Sequence, residues 1–304
     1  MRRQMVVGLV AVGCLVLGTG LVVWGGTHGW LGPHGKAKRA LILARRAVQQ
    51  GNVASAQEAL EQLIGTYPDS PWVDDALLEL GQVYGQQEQL LEARAAYRLL
   101  IERFPNSPLA GQAQTRLGVV NVALLFSPTL TELDTTYEVQ AGDTLGEIAT
   151  AHRTTVELLK RANRLTSDLI RPRQKLKVPK GRFSVVVDKS QNQLLLTKEN
   201  QFVTAYSVAT GADNSTPVGT FKIVNKVVNP VWYRQGAMVP PDSPENILGS
   251  RWMGLDKPGY GIHGSVDLTG LGSQITAGCV RMSRADVEEL FAIVPVGTEV
   301  TIVD

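Results

Sequence analysis

The apolar residues of this chain change their period twice along its length, which rules out one continuous fold. From about Lys36 to Phe126 they recur at helical spacing. From Tyr137 to Lys180 the order reads strand, helix, helix, strand. Tyr137 and Val139 alternate, Ala141, Gly142 and Asp143 make a turn, and Leu145, Ile148 and Ala149 recur at helical spacing. Val156, Leu158, Leu159 and Ala162 repeat that spacing before Leu176 and Val178 close a second strand. From about Arg182 the chain turns to β-branched and aliphatic runs, "FSVVVD", "NQLLLT", "FVTAYSVAT" and "TPVGTFKIV", divided by polar and Gly/Pro turns. One helix is expected there, over "SRADVEELFAIV", with Ser283 as its cap. The expected fold is multidomain, with units at 36–127, 136–180 and 182–304 behind an N-terminal segment, 1–35.

That N-terminal segment follows Arg2 and Arg3 with an uncharged run from Met5 to Gly26. Crossing a bilayer takes about 20 such residues, so the run suffices. Gly18 and Gly20 offer a small-residue processing site, but Leu21, Val22, Val23 and Trp24 continue the apolar run beyond it. This favours an uncleaved transmembrane anchor over a removed signal peptide. A lipoprotein site at Cys14 is disfavoured by Ala11, where a larger aliphatic is usual, and by the apolar residues that follow. Lys36, Lys38 and Arg39 follow the run much as Arg2 and Arg3 precede it, so charge does not orient it.

The helical unit contains an echo. "YPDSP" at Tyr67 returns as "FPNSP" at Phe104, a shift of 37 residues that also carries Ala56 onto Ala93. Ser70-Pro71 and Ser107-Pro108 are expected as helix starts, with serine as cap and proline in the first turn. Pro68 and Pro105 should end the preceding helices. Helix pairs near this length with small alanines at their contacts resemble tetratricopeptide repeats, in about two and a half copies. A docking surface for a protein partner and a helical spacer both fit the pattern. Net charge is +2, from 30 basic and 28 acidic residues, with no phosphate loop and no basic-aromatic patch. Nucleic acid is therefore not an expected partner.

In the middle unit, "GDTL", "AN" and "LKVP" in this order resemble a LysM module. The resemblance implies a small α+β fold (βααβ) that binds polymers containing N-acetylglucosamine, in a bacterium the glycan strands of peptidoglycan. It places sugar in a shallow groove between Gly142, Asp143, Thr144 and Leu145 on one side and Ile170 and Pro172 on the other. The family commonly has glycine after that proline, where this chain has Arg173, so the second loop is expected to differ. His152 is expected to be a solvated helix residue.

The β-rich unit holds one histidine, His263, and one cysteine, Cys279. That excludes an internal disulfide, disfavours a Cys/His zinc site and leaves a Cys–His nucleophile pair as the simplest chemistry. A lone cysteine is often only a small buried hydrophobe. Here Gly278 allows close backbone approach, Arg281 is expected to favour thiolate, and His263 lies among glycines in "GYGIHGS". "IHGSVDLTGLGSQITAGCVRM", with 12 residues between His263 and Thr276, resembles the signature of the YkuD-type L,D-transpeptidase catalytic domain. "VVVDKSQNQLLL", "VATGADNSTPVGTFKI" and "RWMGL" extend the resemblance over nearly all of Phe183 to Asp304.

The resemblance implies a mainly-β domain that needs no metal or organic cofactor. It makes Cys279 the nucleophile and His263 the base, oriented by the Gly264 carbonyl. Backbone N–H groups around Gly278 and Cys279 would stabilise the oxyanion, supported by the Thr276 hydroxyl. Arg281 would hold the loop or bind a stem-peptide carboxylate. A second histidine common after the Ser/Thr position is replaced by Ala277. The implied reaction is ping-pong acyl transfer. Cys279 takes the acyl group of a tetrapeptide stem, D-alanine leaves, and a stem amine, lipoprotein lysine, D-amino acid or water resolves the thioester. Carbapenem inactivation is implied as well. Because mature peptidoglycan lies outside the cytoplasmic membrane, residues 27–304 are expected on the extracytoplasmic side of a single-pass anchor. The repeats would then stand nearest the membrane and the catalytic unit furthest along the chain. The alternatives are a wall hydrolase or carboxypeptidase using the same thioester, and a non-catalytic wall-binding scaffold.

Overall fold

The computed structural model describes residues 32–304 except positions 235, 242 and 266. The expected membrane anchor lies outside the described residues, and among these no helix is long and apolar enough to cross a membrane.

The first unit is five helices: α1 (Pro33–Gln49), α2 (Val53–Thr66), α3 (Val73–Gln86), α4 (Leu90–Arg103) and α5 (Ala110–Leu125). Each packs on the next. The sequence echo is the period of their core: Ala56, Leu60 and Leu63 recur as Ala93, Tyr97 and Leu100, all buried. Helix α1 begins inside the segment expected to be linker, with Pro33 in the first turn, where its missing N–H costs no hydrogen bond. Pro68 and Pro105 stand just beyond α2 and α4, as expected. The serines behave differently from expectation. The Ser70 and Ser107 hydroxyls accept the N–H groups of Trp72 and Leu109, at 3.4 and 3.1 Å. They thus close tight turns ahead of α3 and α5, whose own first residues follow Trp72 and Leu109.

The second unit is β1 (Asp134–Glu138), α6 (Leu145–Ala151), α7 (Val156–Ala162) and β2 (Lys175–Pro179), with β1 antiparallel to β2. Thr144 and Glu147 form a capping box on α6, and Thr155 caps α7. Strand β1 starts at Asp134, two residues before the boundary read from sequence. The loop before β2 was expected to differ for want of glycine. Instead Arg173 itself adopts φ +70 and its N–H reaches the Val139 carbonyl at 2.8 Å. The left-handed turn is kept, at a backbone cost of about 1–2 kcal/mol for a residue with a Cβ.

The third unit contains β3 (Phe183–Asp188), β4 (Gln193–Lys198), β5 (Gln201–Ser207), β6 (Thr210–Gly211), β7 (Gly219–Val228), β8 (Trp232–Arg234) and β9 (Ala237–Val239). It continues with β10 (Arg251–Leu255), β11 (Gly261–Ser265), β12 (Gln274–Thr276), β13 (Val280–Ser283), α8 (Arg284–Ile293) and β14 (Glu299–Val303). Eight strands form one sheet in the order β13-β11-β10-β7-β14-β3-β4-β5. Its pairs are antiparallel except β11–β13 and β14–β3. Ser283 caps α8 as expected, its hydroxyl accepting the Asp286 N–H at 3.1 Å. Helix α8 lies on β10, β11 and β13, so the site end of the sheet is backed by helix.

The units are not successive stations along a line. Val122 and Leu125 of α5 and Leu158 of α7 join the apolar core of the third unit, and Phe202 of β5 packs into the helical core. Asn121 donates to the Phe202 and Val203 carbonyls, each at 3.1 Å. At the junction Asp134 lies between two buried lysines, Lys177 at 3.2 Å and Lys198 at 3.4 Å.

Candidate active site

Cys279 sits in the tight turn "TAGC" between β12 and β13. Strand β13 runs parallel to β11 with Ile262 beside Val280 and His263 beside Arg281. Parallel neighbours share a face and faces alternate along a strand. The register therefore puts Cys279 beside Gly261 on the face that carries His263 and Arg281. Ile262 and Gly264 point to the other face, where Val287 of α8 packs against Gly264.

His263 is 4% exposed. Its Nδ1 lies 2.9 Å from the Gly264 carbonyl oxygen. A carbonyl only accepts, so Nδ1 carries the proton and Nε2 keeps its lone pair. The Gly264 carbonyl, expected from sequence to orient this imidazole, is thus its hydrogen-bond partner. Burial pushes the imidazole pKa down to about 4; the Arg281 charge adds to that, while the backbone of Gly264 and of Ile247 pulls the other way. Trp252, across from His263 on β10, stacks on the ring at 6.2 Å between centroids. Gly249, at φ +62, lies so close that a Cβ there would sit 2.9 Å from the Gly264 carbonyl carbon and oxygen.

The half-buried Cys279 thiol donates to the Gly259 carbonyl at 3.6 Å. Burial pushes its pKa up, and a backbone hydrogen bond from Gly261 opposes this. Arg281 was expected to favour thiolate, but its charge acts on His263 instead. The guanidinium is tethered to the Thr269 carbonyl, which holds the 267–273 loop against β13, and its buried Nε has no partner among the described residues. These shifts favour a neutral thiol and a neutral imidazole near pH 7.

Thr276 serves the turn. Its hydroxyl donates to the Cys279 carbonyl at 2.6 Å and accepts the Gly278 N–H at 3.2 Å. The Gly278 N–H is therefore engaged, whereas the Cys279 N–H makes no hydrogen bond among the described residues. Gly278, at φ +127, is buried under the Tyr260 ring, which a Cβ would meet at 2.8 Å.

In the second unit the residues expected to contact sugar take different structural places. Leu145 is 2% exposed and belongs to the apolar core, against which Ile170 also packs. Asp143 accepts the Tyr137 hydroxyl at 2.8 Å and the Gln140 N–H at 2.7 Å, and Gly142 takes φ +94 in that turn. Thr144 is occupied as the α6 cap. The open depression of this unit is lined by Ser167, Leu169, Arg171, Pro172, Arg173 and Gln174, so only Pro172 of the expected set borders it. His152 stands edge-on to the Tyr137 ring, 5.4 Å between centroids.

Gly249, Trp252 and Tyr260 carry no motif of their own in the sequence. Each acts through a partner distant in sequence; Trp252 falls in "RWMGL" and Tyr260 in "GYGIHGS", but neither stretch names that partner.

The depressed imidazole pKa has a measurable consequence. The acid limb of kcat/KM for acyl transfer is expected near pH 4, well below the ordinary imidazole value of 6.5. Above that limb His263 is unprotonated and free to accept a proton; below it the ring is protonated and activity is expected to fall. A limb between pH 6 and 7 in the profile would mean that the ring is solvated in the working enzyme.

The L,D-transpeptidase catalytic domain family matches residues 182–302, the LysM domain residues 137–179, and the tetratricopeptide repeat residues 42–122. YqjB of Bacillus subtilis, which bears an L,D-transpeptidase name, is 40% identical over 126 residues, covering 40% of this chain and 70% of that protein. YkuD of the same organism, named likewise, is 33% identical over 174 residues, covering 55% of this chain and 98% of that protein. With its catalytic domain joined to a LysM domain and tetratricopeptide repeats, the chain belongs to the L,D-transpeptidase family.

Proposed function

We propose that this protein is a peptidoglycan L,D-transpeptidase working by a Cys279 thioester, held to the outer face of the cytoplasmic membrane by its N-terminal apolar run. The observation that carries the chemistry is the buried, neutral His263, whose Nδ1–H is committed to Gly264, leaving Nε2 as the base on the face shared with Cys279. The thiol proton passes to Nε2 as Sγ attacks the carbonyl carbon of the third stem residue. The carbonyl π electrons move onto oxygen, and the Cys279 N–H receives that oxyanion. Collapse breaks the bond to D-alanine, which leaves as an amine with the proton from Nε2. An acceptor amine then attacks the thioester, gives its proton to Nε2 and restores the thiol, leaving a 3→3 cross-link or a protein attached to the wall.

Arg281, tethered through Thr269, holds the loop beside the turn and is the candidate partner for a stem carboxylate. Glycan strands are the proposed ligand of the LysM unit, at the depression bordered by Pro172. The repeats are proposed to dock a protein partner; as a spacer they would serve poorly, because α5 is packed into the catalytic unit. Residues 27–304 would lie outside the membrane, where cross-linked substrate is found.

The test incubates the protein with disaccharide-tetrapeptide and weighs the products. Dimers lighter than two substrates by the mass of one free D-alanine support transpeptidation. Tripeptides alone would assign a carboxypeptidase, with water as acceptor. No consumption of substrate would leave a wall-binding scaffold and overturn the reading.

A further inference from the structure

Behind the "TAGC" turn runs the segment 209–216, and one side chain of it reaches the turn directly. Thr216 is 1% exposed. Its hydroxyl accepts the Gly211 N–H at 2.7 Å and lies 2.9 Å from the Gly278 carbonyl oxygen. Those partners fix its proton: the amide only donates and the carbonyl only accepts, so the hydroxyl donates to Gly278. The two segments meet backbone to backbone, since a Cβ on Gly211 would sit 2.9 Å from the Gly278 Cα. Thr216 is itself held, its carbonyl accepting from Lys189 Nζ at 3.1 Å. Lys189 is 2% exposed and ion-paired to Asp304 at 2.7 Å.

The Gly278 carbonyl and the Cys279 N–H belong to the same peptide plane and point in opposite directions. Drawing the carbonyl inward to Thr216 aims the N–H outward, and this is the N–H without a partner among the described residues. Gly278 sits at φ +127, where a residue lacking a Cβ turns with little steric restraint. The plane therefore depends on its hydrogen bonds for its orientation. Turned over, it would present a carbonyl oxygen, with the wrong sign of charge, to a developing oxyanion.

We propose that Thr216 is a positioning residue for acyl transfer: it locks the 278–279 peptide so that the Cys279 N–H faces the attacked carbonyl. This rests on the reading of Cys279 as acyl carrier. An oxyanion donor is worth roughly 10²–10³ in kcat, so loss of the lock should approach the lower figure.

The experiment compares the full chain with Thr216→Val, which keeps the shape without the hydroxyl, and Thr216→Ser, which keeps the hydroxyl. Two rates are read at the same thiol. One is acylation by disaccharide-tetrapeptide, followed by mass; the other is alkylation by iodoacetamide, a displacement at carbon that develops no oxyanion. Thr216→Val is expected to lower kcat for acylation about 100-fold with KM within a few-fold, and to leave alkylation unchanged. Thr216→Ser is expected to restore acylation to within about tenfold of wild type. Should the valine variant not fold, Thr216→Ala deletes the hydroxyl without a second branch and carries the same expectation. Unchanged acylation in the hydroxyl-less variants overturns the proposal. So does alkylation falling by the same factor as acylation, which would mean general collapse of the turn, and so does a serine variant as slow as valine. A wild-type protein that forms no adduct at Cys279 overturns the acyl-carrier reading and this proposal together, and that result is distinct from the other three.

Discussion

Cys279→Ala is expected to lower release of D-alanine from tetrapeptide stems by roughly 10⁴-fold or more, while binding to isolated sacculi stays at the wild-type level. The size of the effect follows from how little else the site offers. Cys279 is the sole thiol among the described residues, and the neighbouring hydroxyls are committed: Thr276 to the Cys279 carbonyl, Thr216 to the Gly278 carbonyl. With the thiol removed, His263 keeps its proton on Nδ1 and the Cys279 N–H keeps its direction, so some activation of water remains but no covalent acyl acceptor. Binding should persist because the LysM unit has its own buried cluster, Val139, Leu145, Ile148, Leu159, Leu176 and Val178, which the substitution does not touch. Chromatography of released D-alanine and a sacculus pelleting assay read the two halves separately. Turnover equal to wild type would remove the thiol from the mechanism; loss of pelleting would show that the acyl-enzyme contributes to wall binding.

The parts of this molecule that sequence exposes are those in which near neighbours decide the outcome. Alternation marks β3 and β4, whose burial alternates residue by residue, and the shift of 37 residues marks the stacked helices through Ala56 and Ala93. His263, Gly264 and Cys279 are legible because the motif keeps them in one stretch. Features set between distant segments are not legible. Nothing near Gly249 in the chain says that it must approach the Gly264 carbonyl, and nothing near Thr216 points to Gly278, 62 residues on. The acid-base state of the site is also a product of packing. Arg281 follows Cys279 by two positions, so sequence assigns its charge to the thiol, whereas the parallel register sets it beside His263. Ser70 and Ser107 mark turns rather than helix caps because the Ser-Pro pair precedes one further turn of chain before the helix takes hold.

Asp134 belongs to the same class of hidden residue: in the run "TLTELDTTY" it looks like one more polar linker position, yet its side chain is 1% exposed. Its carboxylate accepts the Thr131 N–H at 2.8 Å and hydroxyl at 2.7 Å, and it neutralises both Lys177 and Lys198. Those ammonium groups also donate to the carbonyls of Leu124, Ser127, Thr129 and Leu133, which tie the end of α5 and the linker to β2 and β4. Asp134→Asn is therefore expected to cost about 3–5 kcal/mol in urea unfolding, the usual result of leaving buried charge without its partner. The pH dependence should move from the acid to the alkaline side as well as change in size. Burial works to raise the Asp134 pKa, but the Thr131 hydrogen bonds and the two ammonium groups outweigh it and hold the carboxyl below its ordinary value. In wild type this contribution is present above the unfolded carboxylate pKa and is lost as pH falls through the folded one. In the variant that acid-side loss disappears. Burial already lowers the pKa of Lys177 and Lys198, and without the carboxylate it lowers them further. The unfolded chain then binds more protons than the folded one at alkaline pH, so stability of the variant should rise as the lysines deprotonate. A cost under about 1 kcal/mol with no alkaline recovery would mean that water reaches the cluster and that hydrophobic contact alone joins the three units.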